Sequence, residues 1–348
     1  MTNYFYNYDG ADIPIQGLFK GRSCFLIVSG PSLKTIDLSQ LNQPGIITIG
    51  VNNSPAAFRP NIWVSVDDPC NFMLSIWSDP RIMKFVMHGK RNKQLWDNNA
   101  WKESPLTVCN CPNVIYYKDN EHFKPTEEFL DESTINWGNH TERCECGEMR
   151  VKEKGEEKIN HCLKCNGKKF GSRSVMLAAI KIAYVLGFKK IFIVGADFKM
   201  DAVNTYAWNQ NRSDHSIKSN NETYERLNER FAAIRPVFEK RQFYIFNATP
   251  NSNLNSFARI DFEDAVKITL SGFPDVSKDR TFGMYERKAV DKTIEEQAQK
   301  QVELKEQIVK INGSDRHTLK KLNHKLEKCQ VKLRNALEEK EKLLTWKA

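Results

Sequence analysis

Three short apolar runs near the start of the chain constrain its fold more than any other feature. They are rich in branched residues, as buried strands are, and they span Cys24 to Val28, Gly45 to Val51 and Asn61 to Val66. Each run gives way to small or polar residues, namely Ser29-Gly30-Pro31-Ser32, Asn52-Asn53-Ser54-Pro55 and Asp67-Asp68-Pro69. Ser32 is a suitable cap for a short helix that begins near Leu33. Ligands of open α/β sheets bind just beyond the carboxyl ends of the strands, so the three ends predict one nucleotide site.

A second α/β segment follows later in the chain. Val175 to Leu186 is predicted to be an apolar helix, which Gly187 ends. The next run, Lys190 to Val194, is a predicted strand closed by Gly195-Ala196-Asp197-Phe198. Before the helix, Gly171-Ser172-Arg173-Ser174 offers backbone N–H groups and hydroxyls to a phosphate at the helix N-terminus. Simple helix capping explains the same serines equally well.

The rest of this α/β domain is predicted from a helix at Glu222 to about Lys240 and a strand at Phe243 to Asn247. The segment before the helix is polar and is interpreted as a loop that carries Tyr206, Arg212 and His215. We therefore predict one α/β domain built from residues 1–137 and 171–280, with an insertion at 138–170.

Two close cysteine pairs mark the insertion. Cys144 and Cys146 are separated from Cys162 and Cys165 by a polar stretch rich in Lys and Glu. Four thiolates in such pairs can surround zinc tetrahedrally, and so small a module has no apolar core to hold it otherwise. The predicted zinc is structural, because four thiolates leave no open position for a substrate. There are two alternatives to this four-cysteine zinc site. The four cysteines are incidental surface thiols, or the ligands also include His140, His161, Cys109 or Cys111.

The last segment, residues 286–348, has a different character. Apolar residues recur at spacings of three and four on both sides of Asn312-Gly313-Ser314-Asp315, which predicts a helical hairpin or coiled coil. The segment contains 16 Lys and Arg against 11 Asp and Glu, and so supplies +5 of the chain's net charge of +9. A solvated outer face explains this charge, and homo-oligomerisation or contact with nucleic acid are the functional alternatives.

Charge and hydropathy indicate which classes of partner the chain has. No run approaches the roughly 18 apolar residues of a membrane helix, and the N-terminus lacks the basic and apolar regions of a signal peptide. We therefore expect a cytoplasmic protein without a membrane partner. Nine cysteines in that compartment favour metal binding over disulfides, and the positive net charge favours a polyanionic partner.

Several segments together resemble a known family. SGPSLKTIDLSQL, VNNSPAAFRPNIWVSVDDP and GSRSVMLAAIKIAYVLGFKKIFIVGADF occur in this order, followed by NATPNSNLNSFARI. They resemble the Rossmann-like superfamily that holds bacterial sialyltransferases of the Campylobacter type, with MptE-like pterin diphosphokinases as relatives. The resemblance covers roughly Gly21 to Asp264 without the cysteine insertion. It implies a Rossmann-like, GT-A-type α/β fold with a mostly parallel sheet, to which the zinc-ribbon-like insertion and the helical tail are added.

The resemblance implies a nucleotide-activated donor, a CMP- or UDP-sugar, bound across the strand ends. Ser29 stands where those transferases have an asparagine, and Asn52 matches their second nucleotide-contacting asparagine. Ser172 lies in the matching Gly-Ser turn that touches the donor, His215 aligns with their catalytic base, and Tyr206 matches a tyrosine that faces the donor phosphate. Arg212 is nearby in sequence and is a further candidate to stabilise the leaving phosphate. The predicted donor-binding residues are Ser29, Gly30, Pro31, Ser32, Asn52, Asn53, Asp67, Asp68, Ser172, Arg173, Gly195 and Asp197.

The predicted function is inverting glycosyl transfer from a nucleotide sugar to a hydroxyl, with His215 as base and no catalytic metal. The basic tail and the cysteine module favour a large charged acceptor, which we interpret as 5-hydroxymethylated pyrimidines in double-stranded DNA. A phage-encoded enzyme acting in the host cytoplasm fits this reading. The alternatives are a surface glycan or protein acceptor, a Mg²⁺-dependent diphosphotransferase using Asp67 and Asp68, and a nucleic-acid-binding protein with an inactive transferase core.

Overall fold

A computed structural model of the chain describes most of residues 3–272 and part of the tail. The described residues are 3–97, 102–120, 123–136, 152–153, 156–157, 174–201, 205–208, 213–272, 297, 300–301, 303–305, 307–308 and 316–345. The chain forms two compact units, Met1–Arg280 and Thr281–Ala348.

The first unit combines a large sheet with several short helices and the 27-residue helix α4. In chain order its strands are β1 (Phe5–Tyr6), β2 (Ser23–Ile27), β3 (Thr48–Val51), β4 (Ile62–Ser65), β5 (Met83–Met87), β6 (Gln94–Asp97), β7 (Lys102–Thr107), β8 (Val114–Tyr117), β9 (Asp119–Asn120), β10 (Ile135–Asn136), β11 (Lys152–Glu153), β12 (Glu156–Glu157), β13 (Lys190–Val194), β14 (Tyr244–Asn247) and β15 (Ala258–Arg259). Its helices are α1 (Leu74–Trp77), α2 (Glu128–Asp131), α3 (Val175–Val185), α4 (Asp214–Lys240) and α5 (Phe262–Ser271). In the second unit, α6 spans Arg316–Thr345.

The main sheet has the strand order β1-β8-β5-β4-β3-β2-β13-β14-β15. All neighbouring pairs are parallel except β1 with β8. Numbered by their sequence order, the six strands from β4 to β15 follow the order 3-2-1-4-5-6, which is that of doubly wound Rossmann-like sheets. The chain builds one half of the sheet outward from β2 and then returns to place β13 on the other side of β2. The carboxyl ends of β2 and β13 therefore border the crevice where the strand order reverses.

Burial explains why these segments form central parallel strands. Every residue of β3, β4 and β5 is buried, and so is every residue of β2 after Ser23. Strands covered on both faces read as continuous apolar runs rather than as alternating ones, which is the pattern seen in the sequence. The predicted strands are confirmed, with ends that differ by at most three residues.

Helix α3 lies in the middle of the unit rather than on its surface. All residues from Met176 to Ala183 are buried, in agreement with a segment that is apolar on every side. Lys181 is the one charged residue in this buried run, and its Nζ donates to the carbonyl oxygen of Glu132 at 2.7 Å. Burial lowers the pKa of Lys181 to about 8.

The start of α4 corrects one prediction. The helix begins at Asp214, eight residues before the predicted Glu222, so His215 lies in its first turn and not in a loop. Ser213 caps the helix through its Oγ, which accepts from the backbone N–H of Ser216 at 3.3 Å, and Asp214 suits the positive end of the helix dipole. The polar composition of this first turn concealed the helix.

A similar correction concerns the segment after β2. The predicted short helix is a 3₁₀ helix, Pro31–Thr35, with Gly30 as its N-cap residue. Ser32 does not cap it and donates instead to Asp197, as described below. The N-terminal edge strand β1 and strand β6 were not predicted, because both are too short or too polar to show a clear period. The sequence predicts a short strand at Leu106 to Val108, where the structure has the end of the longer strand β7.

In the second unit, α6 packs against helical residues that lie between positions 297 and 308. Leu304, Leu322 and Cys329 form a buried cluster, with Ile308 and Leu326 packed against it. The thiol of Cys329 donates to the carbonyl oxygen of Gln297 at 3.1 Å. Among the described residues, no helix is both long and apolar enough to span a membrane.

Candidate functional site

A cleft of about 320 Å³ opens at the carboxyl edge of the main sheet, over the crevice between β2 and β13. Val28 to Pro31 form its wall on the β2 side, and Gly195 to Lys199 form the wall on the β13 side. The size falls within the range of small-molecule sites in proteins. Sheets of this strand order bind ligands at this crevice.

A buried carboxylate ties the two walls together. Asp197 accepts a hydrogen bond from Ser32 Oγ at 2.7 Å and a longer one from the backbone N–H of Ser32 at 3.3 Å. Burial raises the pKa of the Asp197 carboxyl above its ordinary value, although the hydrogen bonds from Ser32 and the charge of Lys199 offset part of the rise. A carboxylate with a perturbed pKa in a cleft is a common property of functional sites.

Glycine is required where the walls approach each other. The backbone N–H of Gly30 donates to the carbonyl oxygen of Gly195 at 2.7 Å. A Cβ on Gly30 would overlap Oδ2 of Asp197 and lie 2.6 Å from that carbonyl oxygen. Gly195 has φ of +73°, and a Cβ there would lie 2.7 Å from Leu33. Both glycines therefore keep the crevice narrow and its backbone accessible.

The end of β3 contributes an amide and the end of β4 a carboxylate. Asn52 adopts the left-handed backbone conformation, with φ of +47°, and its Nδ2 donates to Asp67 at 2.9 Å. The indole N–H of Trp63 fixes the turn by donating to the carbonyl oxygen of Asn52 at 2.7 Å. In the described part of the chain, Oδ1 of Asn52 is buried without a hydrogen-bond partner, so this acceptor is left for a ligand or a water.

The adjacent residues Asp67 and Asp68 make different contacts. Asp67 lines the cleft. Asp68 instead caps the 3₁₀ helix Pro69–Asn71 by accepting from the backbone N–H of Cys70, and lies 3.6 Å from the ammonium of Lys93. The two neighbouring carboxylates therefore have different partners in the structure.

The N-terminus of α3 opens onto the cleft. Ser174 caps this helix of 11 residues by accepting from the backbone N–H of Met176 at 3.1 Å, and Ser174, Val175 and Met176 all line the cleft. The positive end of the helix dipole favours an anionic group such as a phosphate. Lys199 is a second positive feature of the lining.

The outer side of the cleft is aromatic and is formed partly by α4. Thr223, Tyr224 and Leu227 of α4 line it. The ring of Tyr224 stacks on Phe198 with centroids 5.1 Å apart, and the ring of Tyr206 stacks on that of Trp208 at 5.3 Å. Aromatic faces of this kind suit a planar base or the apolar face of a sugar ring.

The structure brings many of the predicted site residues to this cleft. Those that line it are Ser29, Gly30, Pro31, Asn52, Asp67, Gly195, Asp197 and Tyr206. Ser32 lies behind the wall in contact with Asp197, whereas Asn53 and Asp68 are not part of the described lining. The positions of Ser172, Arg173 and Arg212, and of Cys144, Cys146, Cys162 and Cys165, lie outside the described residues.

His215 is not among the described lining residues. It is exposed in the first turn of α4, about 12 Å along the helix axis from Thr223. His215 therefore lies on the helix that lines the cleft, but about two turns before its first lining residue.

Sequence reasoning missed the contributions of Lys199, Thr223 and Tyr224. Lys199 follows the end of β13 by five residues, so the rule that ligands bind beyond strand ends was sufficient to include it. The two α4 residues give no local signal, because only the packing of α4 over the sheet edge places them at the cleft.

Among the described residues, no group of three or more His, Cys, Asp and Glu side chains is arranged to hold a metal ion. Comparisons of the chain with protein-family models, with curated proteins and with solved structures return no match.

Proposed function

We propose that the cleft binds the nucleotide of an activated sugar and that the protein transfers this sugar to a hydroxyl acceptor. One observation carries the proposal: residues from four strand ends that are predicted to bind a donor converge on one cleft at the crevice where the strand order reverses. The N-terminus of α3 supports a phosphate there, and the aromatic side supports a base or a sugar.

The proposed reaction is an inverting displacement at the anomeric carbon. The acceptor oxygen forms a bond to this carbon while the bond from the carbon to the donor phosphate breaks. The acceptor proton goes to a base, assigned to His215, and the nucleotide leaves with its phosphate and its negative charge. The α3 N-terminus, Tyr206 and Lys199 are the groups available to stabilise that charge.

We further propose that the acceptor is a 5-hydroxymethylated pyrimidine in double-stranded DNA. The support is the positive charge of the chain, which is concentrated in the tail. Asp68 is engaged as a helix cap, so the described arrangement gives no specific support to a Mg²⁺ site formed by Asp67 and Asp68.

The test is incubation of the full-length protein with a panel of CMP- and UDP-sugars and with duplex DNA that contains or lacks hydroxymethylcytosine. We expect mass spectrometry of the nucleosides to show one added sugar on hydroxymethylcytosine only, with one nucleotide released for each transfer. Calorimetry with CMP and UDP measures donor binding separately. Nucleotide binding without DNA modification would refute the DNA acceptor, and the absence of any nucleotide binding would refute the transferase itself.

For the insertion we propose a structural zinc held by Cys144, Cys146, Cys162 and Cys165. We expect metal analysis of the purified chain to find about one zinc per molecule, because a four-thiolate site binds zinc tightly. Cys162→Ser should lower the zinc content to near zero, whereas the control Cys70→Ser, at an exposed cysteine of unit Met1–Arg280, should leave it unchanged. A wild-type chain without zinc contradicts the proposal.

A further inference from the structure

The first two thirds of α6 carry an unusual concentration of positive charge. Residues 316–335 contain seven Lys and Arg and a single acidic residue, Glu327. Four of the lysines follow each other at spacings of four, three and four, which puts them in one row along the helix. We call Lys321, Lys325, Lys328 and Lys332 the lysine row.

The lysine row occupies one flank of α6. Leu322 and Cys329 are buried in the packed side of the helix, and Leu326 packs against them. Each member of the row comes one residue before a position on that packed side, so the row lies about 100° around the axis from it. The opposite flank carries Asn323, Glu327, Gln330 and Arg334, and is therefore mixed in charge.

Exposure to water alone does not explain why the lysines are confined to one flank of α6. The outer faces of packed helices usually alternate acidic and basic residues, which pair at spacings of three and four. All four lysines of the row are exposed. Among the described residues, none of their ammonium groups forms a salt bridge. The nearby carboxylate of Glu327 lies instead beside His324, with 3.9 Å between Oε2 and Nδ1.

The row is long enough to lie along several phosphates of a nucleic-acid backbone. The four ammonium groups are distributed over about 16 Å of helix axis, or one charge in about 5.5 Å. One strand of a DNA duplex carries a phosphate about every 3.4 Å, so the row faces about five phosphates. Lysine contacts phosphate as a point charge and does so without reading the sequence.

We propose that the lysine row binds the phosphate backbone of double-stranded DNA and holds this polymer without sequence preference. The choice of DNA rests on the proposed acceptor, and the row extends that proposal by naming the surface that contacts it. Binding to the row needs neither a donor nor a hydroxymethylated base, so it is measurable independently of sugar transfer.

The experiment compares two variants of the full-length protein with equal changes in charge. Lys325→Gln with Lys328→Gln removes two charges from the row. Lys320→Gln with Arg334→Gln removes two exposed charges that lie about 110° and about 150° around the axis from the middle of the row. Lysine and glutamine have similar helix propensities, and circular dichroism checks that α6 is retained. Fluorescence anisotropy with an unmodified 20-bp duplex, without donor, measures affinity between 50 and 200 mM NaCl.

We expect the row variant to bind at least about tenfold more weakly at 50 mM NaCl, with the slope of log K against log salt reduced in magnitude by about 2, since each phosphate contact contributes about 0.9. The control variant should stay within about threefold of the wild type. Equal losses in the two variants would overturn the proposal, because they would show an effect of total charge alone. Failure of the wild type to bind the duplex would also overturn it, and so would row-dependent binding to phosphatidylserine vesicles in preference to DNA. None of these outcomes depends on whether sugar transfer is observed.

Discussion

Replacement of Gly30 by alanine is expected to abolish most nucleotide binding and to lower the stability of the α/β unit. The new Cβ would overlap Oδ2 of Asp197 and approach the carbonyl oxygen of Gly195 to 2.6 Å. The second obstacle is backbone, which a side-chain rotation does not relieve. The walls of the crevice must therefore move apart or the segment after β2 must shift, at a cost of about 1–3 kcal/mol for overpacking a close-packed site.

The readouts are the thermal midpoint and the affinity for the nucleotide identified by calorimetry. We expect a fall of several degrees in the midpoint, at about 2–4 °C per kcal/mol, and a loss of at least about tenfold in affinity. Gly89→Ala is the matched control, since nothing lies within 4 Å of a Cβ at that position. The control should retain the wild-type affinity. A Gly30→Ala protein with wild-type midpoint and wild-type affinity would show that the crevice is not the binding site.

Replacement of His215 by asparagine is expected to lower kcat by about 10²- to 10⁴-fold, the usual contribution of a general base. Nucleotide affinity should change little, because His215 is not part of the described cleft lining. The exposure of His215 is compatible with the role.

The control for this variant is Lys218→Gln, which changes an exposed residue one turn further along α4. It should leave both kcat and nucleotide affinity near the wild-type values. If the His215→Asn protein keeps more than about a third of the wild-type kcat, the assignment of the base is wrong. Asp197 then becomes the next residue to examine, since its carboxyl lies in the cleft and has a raised pKa.

The sequence was most informative about the central strands. β2, β3, β4 and β13 are continuous apolar runs that end in small or polar residues, and burial on both faces of a parallel sheet imposes that pattern. The same strand ends supplied Gly30, Asn52, Asp67 and Asp197 as candidates for the cleft. A rule based on local pattern was sufficient for them, because a residue beyond a parallel strand lies at the ligand-binding edge wherever the strand is placed.

The remaining features depend on contacts that no local pattern encodes. The choice of β13 as the neighbour of β2 fixes the position of the crevice, and this pairing joins residues more than 160 positions apart. The partner of Ser32 also follows from that pairing, since a serine near a helix start reads locally as a cap. Likewise, Thr223 and Tyr224 are ordinary helix-surface residues until α4 lies over the sheet edge. The polar first turn of α4 misled the prediction of its start because tertiary placement outweighs composition.

The position of β2 between β3 and β13 in the finished sheet has a consequence for synthesis. Its partner on one side, β3, emerges soon after it, but β13 follows only after about 160 further residues. At about 5–20 residues per second, the β13 side of β2 stays an open edge for roughly 10–30 s, and the cysteine insertion is made during this interval. An open edge of apolar residues invites pairing with other chains. A strand that is paired on both sides in the native protein thus has one unpaired edge during its biogenesis.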